Sequence, residues 1–202
     1  MMSKLLSRLS LAAVLAAGVL LAGCNDAPGT AAGSPPAKAA TEPVSVAAIE
    51  AGAKGFSAGA LMSKRTVYVF FDAQCPHCGA LWEAAKPLKS QARFVWIPVG
   101  LLNAASTSQG ATLLAASDPV AAMDEHETSL QARRGGISAA SNIDAQKEAV
   151  TKNTELMTKL GFASIPTIVG THAQTGATVS QEGSLPTAAL ATLLGLQVPP
   201  AQ

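Results

Sequence analysis

The sequence predicts an α/β domain in the order β-α-β, a helical insertion, then β-β-α, and three patterns carry that prediction. Two runs rich in β-branched and aromatic residues, 66–71 and 92–99, flank a segment of helical periodicity. The stretch 107–161 that follows reads mostly as helix, punctuated by caps and breakers. Two further short strands, 167–171 and 178–181, are separated by the turn Gln174-Thr175-Gly176 and followed by a last helical segment.

Taken in order, residues 44–65 read as a short lead-in of one or two helices, with Gly52, Gly55 and Gly59 counting against helix. Residues 66–71 (Thr-Val-Tyr-Val-Phe-Phe) are apolar at consecutive positions, as expected for a strand buried on both faces. Residues 75–90 place Leu81, Trp82, Ala85 and Leu88 at spacings of three and four, a helical stripe that Pro87 kinks or ends. The run Phe94-Val95-Trp96-Ile97 supplies the next strand, parallel to the first through a right-handed crossover. Within the insertion, residues 109–116, 119–133 and 144–160 form separate helices, and Asp118-Pro119 suits a cap followed by a first helical position. Leu185-Pro186 opens the final helix, which runs to Leu194. This is the thioredoxin-like layout with an inserted helical cap, spanning residues 66–198.

At the junction of the first strand and the first helix stands Cys75-Pro76-His77-Cys78. Two thiols at this spacing allow one to attack and the other to resolve. A helix N-terminus supplies unpaired N–H groups and a positive dipole end to a thiolate there. Pro76 loses nothing by lacking an N–H in the first turn. His77 adds a cation or donor; its plain alternative is an exposed helix residue. Such surroundings lower a cysteine pKa from ~8.5 to between ~3.5 and ~7.5. A structural zinc site needs four ligands, and neither Cys24, His126 nor His172 stands in ligand spacing with a partner. No metal and no cofactor is expected, with zinc or copper binding as the lesser alternative. A disulfide closing so short a loop removes little chain entropy, which argues against a purely structural pair.

The front of the chain reads as a targeting segment. Lys4 and Arg8 precede an apolar stretch, residues 11–21, that falls short of the ~20 residues a spanning helix needs. It ends in Leu21-Ala22-Gly23-Cys24, which looks like a bacterial lipobox; residues 1–23 would then be removed and Cys24 lipidated. The alternative is an ordinary secretory peptide with a stray cysteine. Lipidation takes Cys24 out of the thiol count, leaving Cys75 and Cys78 as a closed pair in the oxidising periplasm. Two or more acyl chains anchor stably, and Asn25 tips the expected location toward the outer membrane. Residues 24–43 are rich in Ala, Gly, Pro, Ser and Thr and read as a disordered tether. Some twenty such residues span roughly 25 Å.

The formal net charge is +1 and no basic cluster exceeds Arg133-Arg134, so nucleic acid is not an expected partner. Asp72 reads as a local structural residue at the start of the turn, or as a proton acceptor for Cys78. His126, in Asp124-Glu125-His126-Glu127, reads as part of a solvated helix face. His172 carries no motif. Met62, Met123 and Met157 read as core filler.

The run Tyr68-Val69-Phe70-Phe71-Asp72-Ala73-Gln74-Cys75-Pro76-His77-Cys78 resembles the catalytic domain of the periplasmic isomerases DsbC and DsbG, which carry Y-V-F-x-D-x-x-C-x-x-C. Pro98-Val99-Gly100, Leu114-Ala115-Ala116-Ser117-Asp118-Pro119 and Leu160-Gly161 shortly before Pro166 extend the resemblance toward DsbG, over about residues 66–196. The resemblance implies thiol:disulfide interchange on exported proteins that carry cysteine. Cys75 would be the exposed nucleophile and Cys78 the buried resolving thiol. Pro166 would be a cis-proline facing them, with Ile165 offering its backbone to an extended client segment. A DsbD-like or DsbB-like membrane protein would recharge the site.

Three features depart from that family. Between Cys24 and Thr66 there is no room for its dimerisation domain and linker helix, so a monomer is expected. Pro-His between the cysteines is the pair found in the oxidant DsbA. Ile165 stands where those isomerases carry Thr and looks more like thioredoxin. The competing readings are a dedicated reductase for sulfenic acids or apocytochrome thiols, and a non-enzymatic holdase or copper-binding module.

Overall fold

The computed structural model describes residues 44–200. The signal segment, Cys24 and the tether lie outside the described residues. The elements are α1 (Val46–Gly52), β1 (Phe56–Gly59), β2 (Thr66–Asp72), α2 (Pro76–Ala85), β3 (Arg93–Val99), α3 (Ala104–Ala115), α4 (Pro119–Gln131), α5 (Asp144–Lys159), β4 (Thr167–Thr171), β5 (Thr178–Glu182) and α6 (Thr187–Leu194). One five-stranded sheet has the order β1-β3-β2-β4-β5. The thioredoxin-like α/β prediction with helices inserted between the second strand of the β-α-β unit and the proline strand is what the chain adopts.

Central β2 runs parallel to β3, with Val69 opposite Trp96, and antiparallel to β4, with Val69 opposite Ile168. Its alternating side chains feed two cores. Val67, Val69 and Phe71 pack with Leu81, Trp82 and Leu88 of the α2 segment and with Leu190 and Leu194 of α6. Tyr68 and Phe70 pack on the other face with Ile49, Met157 and Leu160. Burial on both faces explains why the strand reads as a continuous apolar run. Trp82 crosses Trp96 edge to face at 4.9 Å and seals α2 onto the sheet.

The lead-in differs from the expectation. Only α1 is helical, started by Ser45, whose hydroxyl accepts from Ala48 N. Residues 56–59 instead form the edge strand β1, antiparallel to β3, with Phe56 and Ala58 turned into the core. The flanking glycines serve this strand. A Cβ on Gly55 would lie 2.5 Å from the Trp96 carbonyl, and Gly59 has φ +97°. Met62 is 96% exposed and is not core filler, whereas Met123 and Met157 are buried.

Helix α2 ends at Ala85 and passes into a 3₁₀ turn, Lys86–Leu88, as the missing N–H of Pro87 dictates. Helix α3 begins ahead of the expected position because Asn103 and Ser106 form a capping box: Asn103 Oδ1 accepts from Ala105 N, and Ser106 Oγ accepts from Asn103 N. Asp118 caps α4 as expected, accepting from Val120 N and Ala121 N. The solvated face expected at His126 is not there. His126 is fully buried and Glu127 is 3% exposed, because α4 lays this side against the loop that follows β2.

Candidate active site

Strand β2 delivers the chain to Asp72, whose carbonyl accepts from Cys75 N at 3.0 Å and closes a turn. Cys75 takes the N-cap position of α2 with extended backbone (φ −94°, ψ 112°), and Pro76 opens the helix. The Cys75 carbonyl accepts from Cys78 N at 3.0 Å and Gly79 N at 3.2 Å, which turns both cysteines to the same side of the helix start. Cys78 is fully buried. Cys75 is only 4% exposed, a correction to the exposed nucleophile implied by the family resemblance. The cause stands opposite: the Cys75 thiol faces the Ile165 carbonyl at 4.0 Å, beside a cis Ile165–Pro166 peptide bond. His77 projects into solvent. The chain therefore brings Cys75, Pro76, Cys78, Ile165 and Pro166 together, leaves His77 at the rim, and Cys24 lies outside the described residues.

The two thiols are electrostatically unequal. The Cys75 pKa is lowered to about 6, first by a hydrogen bond from the Cys78 thiol. Burial opposes this, the backbone N–H groups of Cys78 and His77 add to it, and the charge of His77 contributes least. Cys78 moves strongly upward, because burial disfavours its thiolate and a neighbouring Cys75 thiolate repels it. At neutral pH the arrangement offers one activated sulfur nucleophile and one sulfur held as a thiol donor.

A polar layer under the turn holds this geometry. The buried Asp72 carboxylate accepts from Gln74 N (2.8 Å), Leu101 N (2.7 Å) and Leu102 N (3.0 Å), tying the active-site turn to the loop after β3. That contact bears out the structural reading of Asp72. The Gln74 side chain donates to Gln109 of α3, and Gln109 Nε2 donates in turn to the carbonyls of Gly135 and Ile137. His126 Nδ1 accepts from Ile137 N, so Nε2 carries the proton and donates to the Ala73 carbonyl; burial lowers its pKa and keeps the ring neutral. A Cβ on Gly136, which has φ +88°, would strike that ring. Across the site, Glu182 accepts from Ala163 N (3.0 Å) and Ser164 N (2.6 Å), fixing the loop that carries Ile165 and Pro166.

In the sequence Gln74, Gln109, Glu127 and Glu182 carry no motif that marks them, and His126 reads as a solvated helix residue. For His126 and Glu127 a signal existed. With Met123 and Leu130 they occupy positions i, i+3, i+4 and i+7 of α4, so the buried stripe of this helix runs through polar residues.

A strand-to-helix turn bearing a buried thiol pair beside a cis-proline loop defines a thioredoxin-like redox domain. The chain belongs to the thioredoxin-like domain family, whose model matches residues 59–197. It is similar to the thiol:disulfide interchange protein DsbG of Pseudomonas aeruginosa, at 34% identity over 136 residues, 65% of this chain and 51% of the relative. It is similar to the DsbG of Escherichia coli at 30% identity over 108 residues, 50% of this chain and 42% of the relative. The chain thus spans about half the length of these relatives. Among solved structures it shares its fold with a periplasmic thioredoxin-like protein from Salmonella enterica serovar Typhimurium, at a TM-score of 0.58 and 16% identity, covering 75% of this chain and 96% of that one.

Proposed function

We propose that the protein is a periplasmic thiol:disulfide oxidoreductase of DsbG-like type that exchanges disulfides with exported proteins. The inequality of its two thiols carries this reading. The Cys75 thiolate attacks one sulfur of a client disulfide, forming a Cys75–client disulfide and expelling the other client sulfur as a thiolate. Cys78 then gives up its proton and attacks Cys75, closing the Cys75–Cys78 disulfide and releasing the second client sulfur. Two electrons pass from the protein to the client. The reverse sequence donates a disulfide and leaves the protein reduced. Pro166 and Ile165 would border an extended client segment, with Ile165 offering its carbonyl. The exposed Leu101 and Leu102, held at this end of the sheet by Asp72, add an apolar rim for unfolded chain.

Catalysed reduction of insulin by dithiothreitol tests the activity. The mature chain is expected to accelerate precipitation and Cys75→Ser to return it to the uncatalysed rate. A wild-type chain that gives no acceleration overturns the reading.

The anchor is a second part of the proposal, supported by Leu21-Ala22-Gly23-Cys24. Lipid on Cys24 would hold a monomer at a bacterial membrane, the outer one by Asn25, within reach of a membrane redox partner. Cys24→Ala is expected to move the protein from the membrane fraction to the soluble periplasmic fraction. Unchanged membrane association would discount the lipid.

A further inference from the structure

Glu127 is out of place by ordinary rules. A carboxyl this deeply buried is nearly always paired or hydrogen-bonded. Yet it is 3% exposed and its Oε1 has no hydrogen-bond partner. Its carboxyl group lies against Gly79 of α2, where a Cβ would collide with Oε2. The nearby cation, Lys86, is committed elsewhere, to Glu83 at 2.6 Å and Asp124 at 2.9 Å. Among the described residues no lysine or arginine makes an ion pair with Glu127.

Glu127 also belongs to the lining of a cavity of about 360 Å³ between α2 and α4. Pro76, Gly79, Ala80 and Leu130 give it apolar walls, and Glu83 and Glu127 supply its acidic groups. Its volume lies near the bottom of the ~300–1,000 Å³ range of small-ligand sites, a size for one side chain. Gln74 and Pro76, the neighbours of Cys75 on both sides, also line it, so the cavity adjoins the segment that carries the reacting sulfur.

We propose that this cavity is a side-chain subsite for a lysine or arginine of the client, close in sequence to the client cysteine under attack. The inference rests on the exchange reading above and names a specificity within it. Charge complementarity selects the occupant. The methylene stem of a long cationic side chain suits apolar walls while its head seeks a carboxylate, and here that head meets Glu127, with Glu83 at the mouth. A Cys75 thiolate adds negative charge nearby. Burial first, then that thiolate and Glu83, push the Glu127 pKa up to about 7, against a weaker opposing pull from Lys86. A cation in the cavity opposes these effects by favouring the ionised carboxylate.

Disulfide-linked peptides identical except for one residue test the subsite. Arginine, lysine or glutamine is placed in turn at each of the two positions on either side of the cysteine. Rates of reaction with the reduced mature chain are compared at pH 8, where Glu127 is ionised. At one or more positions arginine is expected to exceed glutamine about tenfold, an advantage of roughly 1.4 kcal/mol. Glu127→Gln should bring the ratio within twofold. Because both peptides are read on the same variant, changes in Cys75 reactivity or in the folded fraction cancel. Glu83→Gln, at an exposed position, should lower the ratio by a smaller factor. Ratios within twofold at all positions in the wild type, or a tenfold ratio that survives Glu127→Gln, overturn the subsite while leaving exchange intact. No reaction with any peptide overturns the exchange reading and the subsite together.

Discussion

Cys78→Ala is expected to convert the protein from a turnover catalyst into a trap. The first step needs only the Cys75 thiolate, and that sulfur remains. The second step needs an attacking thiol already in place. Well-oriented intramolecular partners act at effective concentrations of ~10⁵–10⁸ M, which millimolar external thiol cannot approach. Insulin reduction should therefore fall by about a thousandfold or more, while Cys75–client disulfides accumulate. Those adducts should dissolve in dithiothreitol and be missing from a Cys75→Ser/Cys78→Ala variant. Cys78 is fully buried in the core beneath the helix start, so losing its sulfur costs stability of about 1 kcal/mol, not the fold. Adducts that persist without Cys75, or turnover that survives without Cys78, would refute the assigned order of attack.

Much of this site is legible in the chain because its parts are local. A strand buried on both faces is written as six consecutive apolar or β-branched residues, and the helix after it as a three-four stripe ending at Pro87. The thiol pair sits between them at fixed spacing. The proline loop, ninety positions beyond Cys75, is recognisable only through family resemblance, since nothing in Ser164-Ile165-Pro166 states what it faces. What the sequence hides is decided by packing between distant segments. Strand β1 looks like poor helix because its glycines are judged for propensity, when their reason is the close approach of the Trp96 carbonyl and a left-handed turn at Gly59. His126 and Glu127 look like solvated residues because their neighbours Asp124 and Glu125 are charged. Their burial follows from α4 docking on the active-site turn, a tertiary fact. Cys75 itself is covered by Ile165, which is why a thiol at a helix start is less exposed than its position suggests.

The source of the low Cys75 pKa is where sequence and structure give different weights, and measurement separates them. From the motif alone, His77 between the thiols is the natural tuning group. In the folded chain the Cys78 thiol contributes most and the His77 charge least, with His77 out in solvent where water screens it. Alkylation of Cys75 by iodoacetamide is expected to titrate near pH 6 in the wild type, below the ~8.5 of an unperturbed thiol. A shift of that size changes the thiolate equilibrium by roughly a few hundredfold. Cys78→Ala should move the midpoint up toward the ordinary thiol range, and His77→Ala should move it less. A larger shift from His77→Ala would reinstate the histidine as the main tuning group. The sign of the linked stability follows directly. A thiol whose folded pKa is depressed stabilises the reduced fold fully above the unfolded value of ~8.5, and the contribution is lost as pH falls through about 6. Since the oxidised form has no thiolate to stabilise, the same interaction favours the dithiol and raises the reduction potential. Equilibration with glutathione should place that potential above about −250 mV, on the oxidising side of thioredoxin's ~−270 mV. A value below −250 mV would mean that contacts in the oxidised pair outweigh the thiolate, and the protein would then run as a reductant.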